Sequence, residues 1–410
     1  VANIIDYIHW RGDLDFMVSP FNEVDSLIFT ELSYMKFDKL DRDIKNQSFE
    51  EIGNMYDTCC GQERIGALLT GPFSQLLEEL SKSKRFGQLV VRDFVDILDD
   101  EMEMQFSAMT IELDANTAYV AYRGTDDTLV GWKEDFKMTF LDAVPAQVQA
   151  VSYFESVMER YDYNRIFLGG HSKGGNLAVY AAVRAKESLR EKIVQVYNND
   201  GPGFISNLIE SEAYLQIAPK IVTLIPQSSV VGMLLEHKGD YKVVKSAKWG
   251  LLQHDGFSWE VLGPGFVHLV DVDDESRMVD MTLKNTLNAM TLEQREQFTN
   301  VFFEVLSVNN NRTLDEIQKD GIKSLISIRK SFNSLDKVTK KAIFDILSVM
   351  FSESINSFRE VKNADQWQEN LQNWRKDMRK SMADHSIVKN MQKALQKQSK
   401  GSSTKVDGIQ

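Results

Sequence analysis

The spacing of apolar positions changes twice along the chain. Up to about residue 98 it is helical: in FNEVDSLIFTELSYMKF, Val24, Leu27, Ile28, Leu32 and Met35 fall on one face. GPFSQLLEELSKSKRFGQLVVRDFVDIL predicts two more helices, broken near Gly87. The period then shortens. MQFSAMTIEL and TAYVAYRG are β-rich runs separated by DANT, a hairpin-like pair. Beyond them VPAQVQAVSYFESVMERY and NLAVYAAVRAKESL are helical, while RIFLGG, KIVQVYNND, KIVTLIP and DYKVVKS are strands. Strand and helix in alternation predict an α/β fold. Its mostly parallel sheet, over about residues 104–246, is covered on both faces.

From about residue 274 no further strands are expected. TLEQREQF and TLDEIQKD open with capping boxes, Thr291 with Gln294 and Thr313 with Glu316. LDKVTKKAIFDILSVMFSESINSF continues as a long amphipathic pattern. The apolar faces carry Phe302, Phe303, Val305 and Leu306, then Ile343, Phe344, Ile346 and Leu347, and must pack on something. Three regions result: an N-terminal helical segment (1–98), an α/β core (99–273) and a C-terminal helical domain (274–410). The last ends in a tail rich in Lys and Gln, read as a solvated helix or as a weak contact for a membrane surface or acidic partner.

Composition narrows the class. The 410 residues are 43% hydrophobic and 26% charged, enough for a large core, and the formal net charge of −13 argues against nucleic acid as a partner. The only cysteines, Cys59 and Cys60, are adjacent, which suits neither a structural disulfide nor zinc and fits a cytoplasmic location. No apolar run reaches the ~18 residues of a membrane span. VANIIDYIHWRGDL has no basic start before an apolar core, so no secretion signal is expected, although the missing initiator Met leaves room for a trimmed start. The RGD at 11–13 reads as chance in a polar segment.

The candidate chemistry lies in FLGGHSKGGNLAVYAA, residues 167–182. Ser172 stands between glycines where a strand meets a helix, the setting of a nucleophile elbow. A strained turn lifts the hydroxyl above the sheet edge, and positions two before and two after the serine must lack side chains. Gly170 and Gly174 occupy them. The same turn brings the N–H of Lys173, at the helix start, toward a developing oxyanion. An ordinary tight turn is the competing reading.

GGHSKGGNLA resembles the elbow of class 3 lipases and their α/β-hydrolase relatives. VAYRGTDDTLVGWKEDF resembles the strand, oxyanion turn and lid helix of the same family, an Arg-Gly-Ser/Thr followed by a Trp and an Asp. The likeness covers roughly residues 100–260. The whole chain, with DYIHWRGDL and NNDGPGF, also resembles a bacterial family related to those lipases. The resemblance implies an α/β-hydrolase-type, mostly parallel sheet with N-terminal helices and a C-terminal helical extension. One position departs from the pattern: Lys173 stands where lipases commonly have Leu. Its side chain either favours an acidic substrate or runs along the helix into solvent.

Serine needs a base and an orienting carboxylate, in chain order Ser, acid, His in this fold. His171 lies inside the elbow and reads as structural. His254, in LLQHDGFSWEV after the last expected strand, is the favoured base and resembles the family's late His followed by an aromatic residue. His237, ending a helix-like VVGMLLEH, is the reserve; His268 reads as core or strand, and His385 lies in the tail. Class 3 lipases carry the acid at a position that here reads TLIPQSSVVG, without a carboxylate. Related lipases carry it one strand earlier, which points to Asp200 in VYNNDGPGF; Asp240 and Asp255 are reserves. AYRGT supplies the second oxyanion donor, Thr125, while Asp126 and Asp127 read as solvated loop. DTLVGW begins a helix that could cover the site, with Val130 and Trp132 on its apolar face.

These residues predict a serine hydrolase acting on small or lipid esters, with no metal or cofactor required. An acyltransferase or thioesterase would use the same triad. A non-catalytic hydrolase fold serving as a scaffold is the other class.

Overall fold

The computed structural model describes residues 1–37, 40, 42–59, 71–272, 290–307, 310–314 and 316. Ile343, Phe344, Ile346, Leu347, His385, the basic tail, Cys60 and the side chain of Val305 lie outside the described residues. The chain opens with α1 (Ile4–Arg11), α2 (Glu23–Leu32), β1 (Gln47–Ser48), α3 (Phe49–Cys59) and α4 (Phe73–Lys82). Next come β2 (Val90–Asp99), β3 (Met104–Asp114), β4 (Thr117–Tyr122), α5 (Leu129–Lys137), α6 (Pro145–Tyr161), β5 (Arg165–His171) and α7 (Lys173–Arg184). They are followed by α8 (Glu187–Lys192), β6 (Ile193–Asn199), α9 (Ser206–Ile209), α10 (Glu212–Ile217), β7 (Ile221–Pro226) and β8 (Tyr241–Val244). Two short strands, β9 (Val261–Leu262) and β10 (Gly265–Phe266), pair with each other before β11 (His268–Leu269) and α11 (Leu292–Leu306).

Strands β1 to β8 lie side by side in chain order, with β11 beyond β8. β4 to β8 run parallel. The strands outside them, β1, β2, β3 and β11, are antiparallel to their neighbours. The sheet is therefore mixed around a parallel centre and flanked by helices, the α/β-hydrolase-type arrangement expected. Residues 90–99 differ from expectation. They form β2, not a helix, and pair with β3 from Val90↔Glu112 to Asp99↔Met104. Val91, Phe94, Val95 and Leu98 have helical spacing, and a full-length partner strand overrode it. The segment after β7 also differs: no helix forms at His237, where Phe204 and Glu236 make a lone bridge.

Period-two alternation divides the core between the two faces of the sheet. In β4, Tyr119 and Ala121 join Phe167 and the N-terminal helices on one side. Ala118, Val120 and Tyr122 join α6, α7 and α10 on the other. The N-terminal helices are thus one of the two covering layers of the sheet. Arg85 fastens this layer. Fully buried, its guanidinium donates from Nε to Asp25 Oδ1 at 2.8 Å, and from Nη1 to the carbonyls of Leu14 and Ser19, each at 2.8 Å. It also lies 4.1 Å over the Phe16 ring. Asp25 in turn closes the capping box of α2 with Asn22.

On the far side of α5, Phe136 packs against Phe298, Phe302 and Phe303 of α11, with centroids 6.2, 5.6 and 5.4 Å away. Backbone bonds from Leu129 N to Arg312 O and from Leu314 N to Asp127 O continue the contact. Among the described residues no helix is long and apolar enough to cross a membrane.

Removing Arg85 leaves the Asp25 carboxylate buried without its cation, a loss of about 3–5 kcal/mol for a buried pair. Arg85→Met should lower unfolding stability by that order in urea titrations. A change under ~1 kcal/mol would mean that the N-terminal layer does not depend on this pair.

Candidate active site

Ser172 joins β5 to α7 with φ 58° and ψ −134°, a conformation that costs a non-glycine residue on the order of 1–3 kcal/mol. The turn closes only because its flanks lack side chains. A Cβ on Gly170 would stand 1.9 Å from the carbonyl carbon of Gly174, and one on Gly174 would stand 2.1 Å from Tyr122 O. The backbone is fixed by Ser172 N–H donating to Asn199 O and Gly175 N–H donating to Ser172 O, both at 2.9 Å. The serine retains 9% exposure.

Asp200 follows β6, one strand over, with φ 52°. Its Oδ2 accepts from His254 Nδ1 at 2.6 Å. Its Oδ1 accepts from Ser229 Oγ at 2.5 Å and from Gly232 N at 3.1 Å. The carboxylate is thus held from both sides. A carboxylate facing Nδ1 places the proton there and leaves the Nε2 lone pair as a base. Among the described residues the Ser172 hydroxyl makes no hydrogen bond with His254.

His254 ends a 3-10 turn, Gly250–His254, that is anchored on three sides. Gln253 accepts from Ser228 N and donates to Ser228 Oγ, both at 2.9 Å. The Trp259 indole donates to Gln253 O at 2.9 Å. His171, fully buried, bonds the His254 carbonyl through Nε2 at 2.6 Å, and the two imidazoles lie 4.5 Å apart. A carbonyl only accepts, so Nε2 carries the proton and Nδ1 accepts from Tyr34 Oη at 3.0 Å. Burial and the neighbouring His254 hold the His171 pKa well below the usual imidazole range, so His171 is neutral. The Glu31 carboxyl lies 3.7 Å from His171 Nδ1 and has no hydrogen-bond partner among the described residues. Burial, with Asp255 nearby, pushes it well above the usual carboxylate range.

The RGT turn lies against the elbow. A Cβ on Gly124 would stand 2.9 Å from Ser172 Cβ and 2.5 Å from His171 O. Arg123 ties the turn to β2 through two bonds of 2.6 Å to Asp96. Thr125 Oγ1 donates to Asp135 Oδ2 at 2.5 Å. Burial pushes the Asp135 carboxyl up to about 6, although Lys173 and Thr125 pull it down. Lys173 is the first residue of α7, so its N–H has no partner within the helix.

Several expectations need correction. The Lys173 side chain does not reach solvent and is not free to meet a substrate. Its Nζ is buried and donates to Gln105 O at 2.9 Å, Gln105 Oε1 at 2.8 Å and Glu134 Oε2 at 3.0 Å. Asp126 is buried, not solvated, and accepts from Thr128 N and Oγ1 where α5 begins. Val130 and Trp132 are half-buried on α5. His268 is partly exposed in β11 and bonds Glu23. Asp255 turns away toward Lys248, as adjacency to His254 required, and Asp240 is exposed. Sequence reasoning missed Tyr34, Gln105, Glu134, Asp135 and Ser229. Only Asp135 had a signal, as the Asp after Trp132 in the lipase-like pattern.

The profile of the Mbeg1-like family matches residues 80–304. No curated protein matches the sequence. Solved structures similar to parts of the chain include a deletion mutant of the Rhizomucor miehei lipase propeptide complex. It is 17% identical over 38% of this chain and 56% of that one, with a TM-score of 0.30, so this chain spans little more than half of it. A mutant form of MDLA from Penicillium cyclopium is 12% identical over 62% and 87%, with a TM-score of 0.36. A lipase from Rhizopus microsporus var. chinensis is 13% identical over 47% and 69%, with a TM-score of 0.31.

Two outcomes are expected from the carboxylates. Asp200→Asn reverses the tautomer preference at His254 and should slow modification of Ser172 by about 10⁴-fold, measured as a second-order rate with an active-site phosphonate. Asp135 ionises later in the folded chain than in the unfolded one, so its contribution to stability is full below about pH 4 and lost as pH rises through about 6. Asp135→Asn should therefore gain stability relative to the parent between those pH values. Parallel urea midpoints across that range would refute the assignment.

Proposed function

The chain belongs to the Mbeg1-like family, and we propose that it is a serine hydrolase cleaving carboxylic esters, lipid esters among them, through an acyl-enzyme on Ser172. One observation carries the reading: an Asp200–His254 hydrogen bond of 2.6 Å at the same sheet edge as the strained Ser172 elbow.

In this mechanism the Ser172 hydroxyl attacks the ester carbonyl carbon while His254 Nε2 takes its proton. Asp200 holds the imidazole in the required tautomer and stabilises the imidazolium. The carbonyl oxygen, now an oxyanion, sits between the N–H groups of Lys173 and Thr125, aided by the positive end of α7. Collapse expels the alcohol, which takes the proton from His254. Water, deprotonated by His254, then attacks the acyl-enzyme and frees the acid and Ser172. The hydrogen bond between Ser172 and His254 is the link the free chain leaves unmade, and such bonds often close only around substrate. The low cysteine content is in keeping with a cytoplasmic setting.

A fluorophosphonate probe read by intact mass tests this directly. The full chain should gain one adduct, mapped to Ser172, and hydrolyse p-nitrophenyl butyrate; Ser172→Ala should do neither. A folded full-length chain that takes no label would favour a hydrolase fold serving as a scaffold.

A further inference from the structure

The buried charge beside the nucleophile has a use that a surface lysine could not have. Lys173 Nζ has three protons, and all three are committed: to the Gln105 carbonyl, to the Gln105 side-chain oxygen and to Glu134 Oε2. Gln105 passes the constraint on. Its Nε2 donates to Gly124 O at 3.3 Å. That carbonyl belongs to the same planar peptide as the Thr125 N–H, and in a trans peptide the two point in opposite directions. Holding Gly124 O therefore aims the Thr125 N–H. Glu134 is itself fixed, since its two oxygens accept from Gln105 N at 3.1 Å and from Ala146 N at 2.8 Å. The next residue on α5, Asp135, holds the Thr125 hydroxyl.

We infer that Lys173 is a positioning residue for both oxyanion donors: its backbone supplies one N–H, and its side chain, through Gln105 and Glu134, sets the direction of the other. This rests on the reading of Ser172 as a nucleophile. The geometry explains why a cation is buried here. A lone buried ammonium is costly, and a buried ion pair is seldom worth its desolvation as stability alone. A pair that fixes donor directions before the oxyanion forms supplies preorganisation instead. The α5 helix carrying Glu134 and Asp135 is braced from outside by Phe298, Phe302 and Phe303. The bracket is therefore set in a packed layer.

The test compares the full-length parent with Lys173→Met and with the charge-free double variant Lys173→Met/Glu134→Gln. Both keep the backbone N–H at 173. Substrates are p-nitrophenyl butyrate and the matching thionoester, whose larger sulfur is poorly served by a site built for oxygen. Loss of a correctly aimed donor should lower kcat for the oxygen ester by about 10²-fold with KM unchanged, and should erode the preference for oxygen over sulfur. The double variant, having no unpaired buried charge, should recover parental urea stability while keeping both kinetic defects. Parental kcat and oxygen preference in the double variant would overturn the inference. So would a fall in kcat with the oxygen preference intact, because Lys173 would then act elsewhere. A parent that neither labels with fluorophosphonate nor hydrolyses the ester removes the functional reading first, and this inference with it.

Discussion

A residue with a side chain is held at φ 58° between β5 and α7, and the arrangement of the candidate site follows from how that strain is held. β5 lies between β4 and β6, and its residues 166–171 are buried. The register Tyr122↔Gly170 ends β4 beside the elbow and releases the RGT turn there. The register His171↔Asn199 ends β6 one residue before Asp200. Parallel strands paired in these registers deliver Asp200 and the RGT turn to one edge of the sheet. Neither needs an insertion or a long loop to reach the serine.

Charge is buried around that edge in quantity, and its distribution is uneven. Lys173 and Glu134 are paired and hydrogen-bonded, and Asp200 is bonded at both oxygens. Burial disfavours the charged forms of Glu31 and His171. A network of this kind stabilises little in net terms, since desolvation offsets most of the attraction. It fixes directions: each catalytic candidate is held by at least one polar contact from another element. His254, for example, takes Asp200 on its ring and His171 on its carbonyl.

The helices outside the lipase-like stretch complete this environment. Tyr34, just after α2, donates to His171 Nδ1, and the N-terminal helices cover one face of the sheet. On the opposite flank α11 braces α5 through an aromatic cluster. The segments least like a lipase core in sequence thus touch the site through one intermediate each.

The elements whose signal is local were legible in the sequence: the strand–turn–helix around Ser172, the glycines at 170 and 174, and the alternation of strands and helices. So were Asp200 and His254, which the structure brings within hydrogen-bonding distance. What escaped depends on partners remote in the chain. Residues 90–99 became a strand because β3 offered a full-length edge, which overrode their helical apolar spacing. Lys173 turned inward because Gln105 and Glu134, 68 and 39 residues away, gave its three protons acceptors. Ser229, in the segment that lacks a carboxylate, serves Asp200 from 29 residues away. A sequence records the conformation each short stretch prefers. Which polar groups meet across a sheet edge is decided only when strand register and helix packing are set, because hydrogen bonds act over about 3 Å.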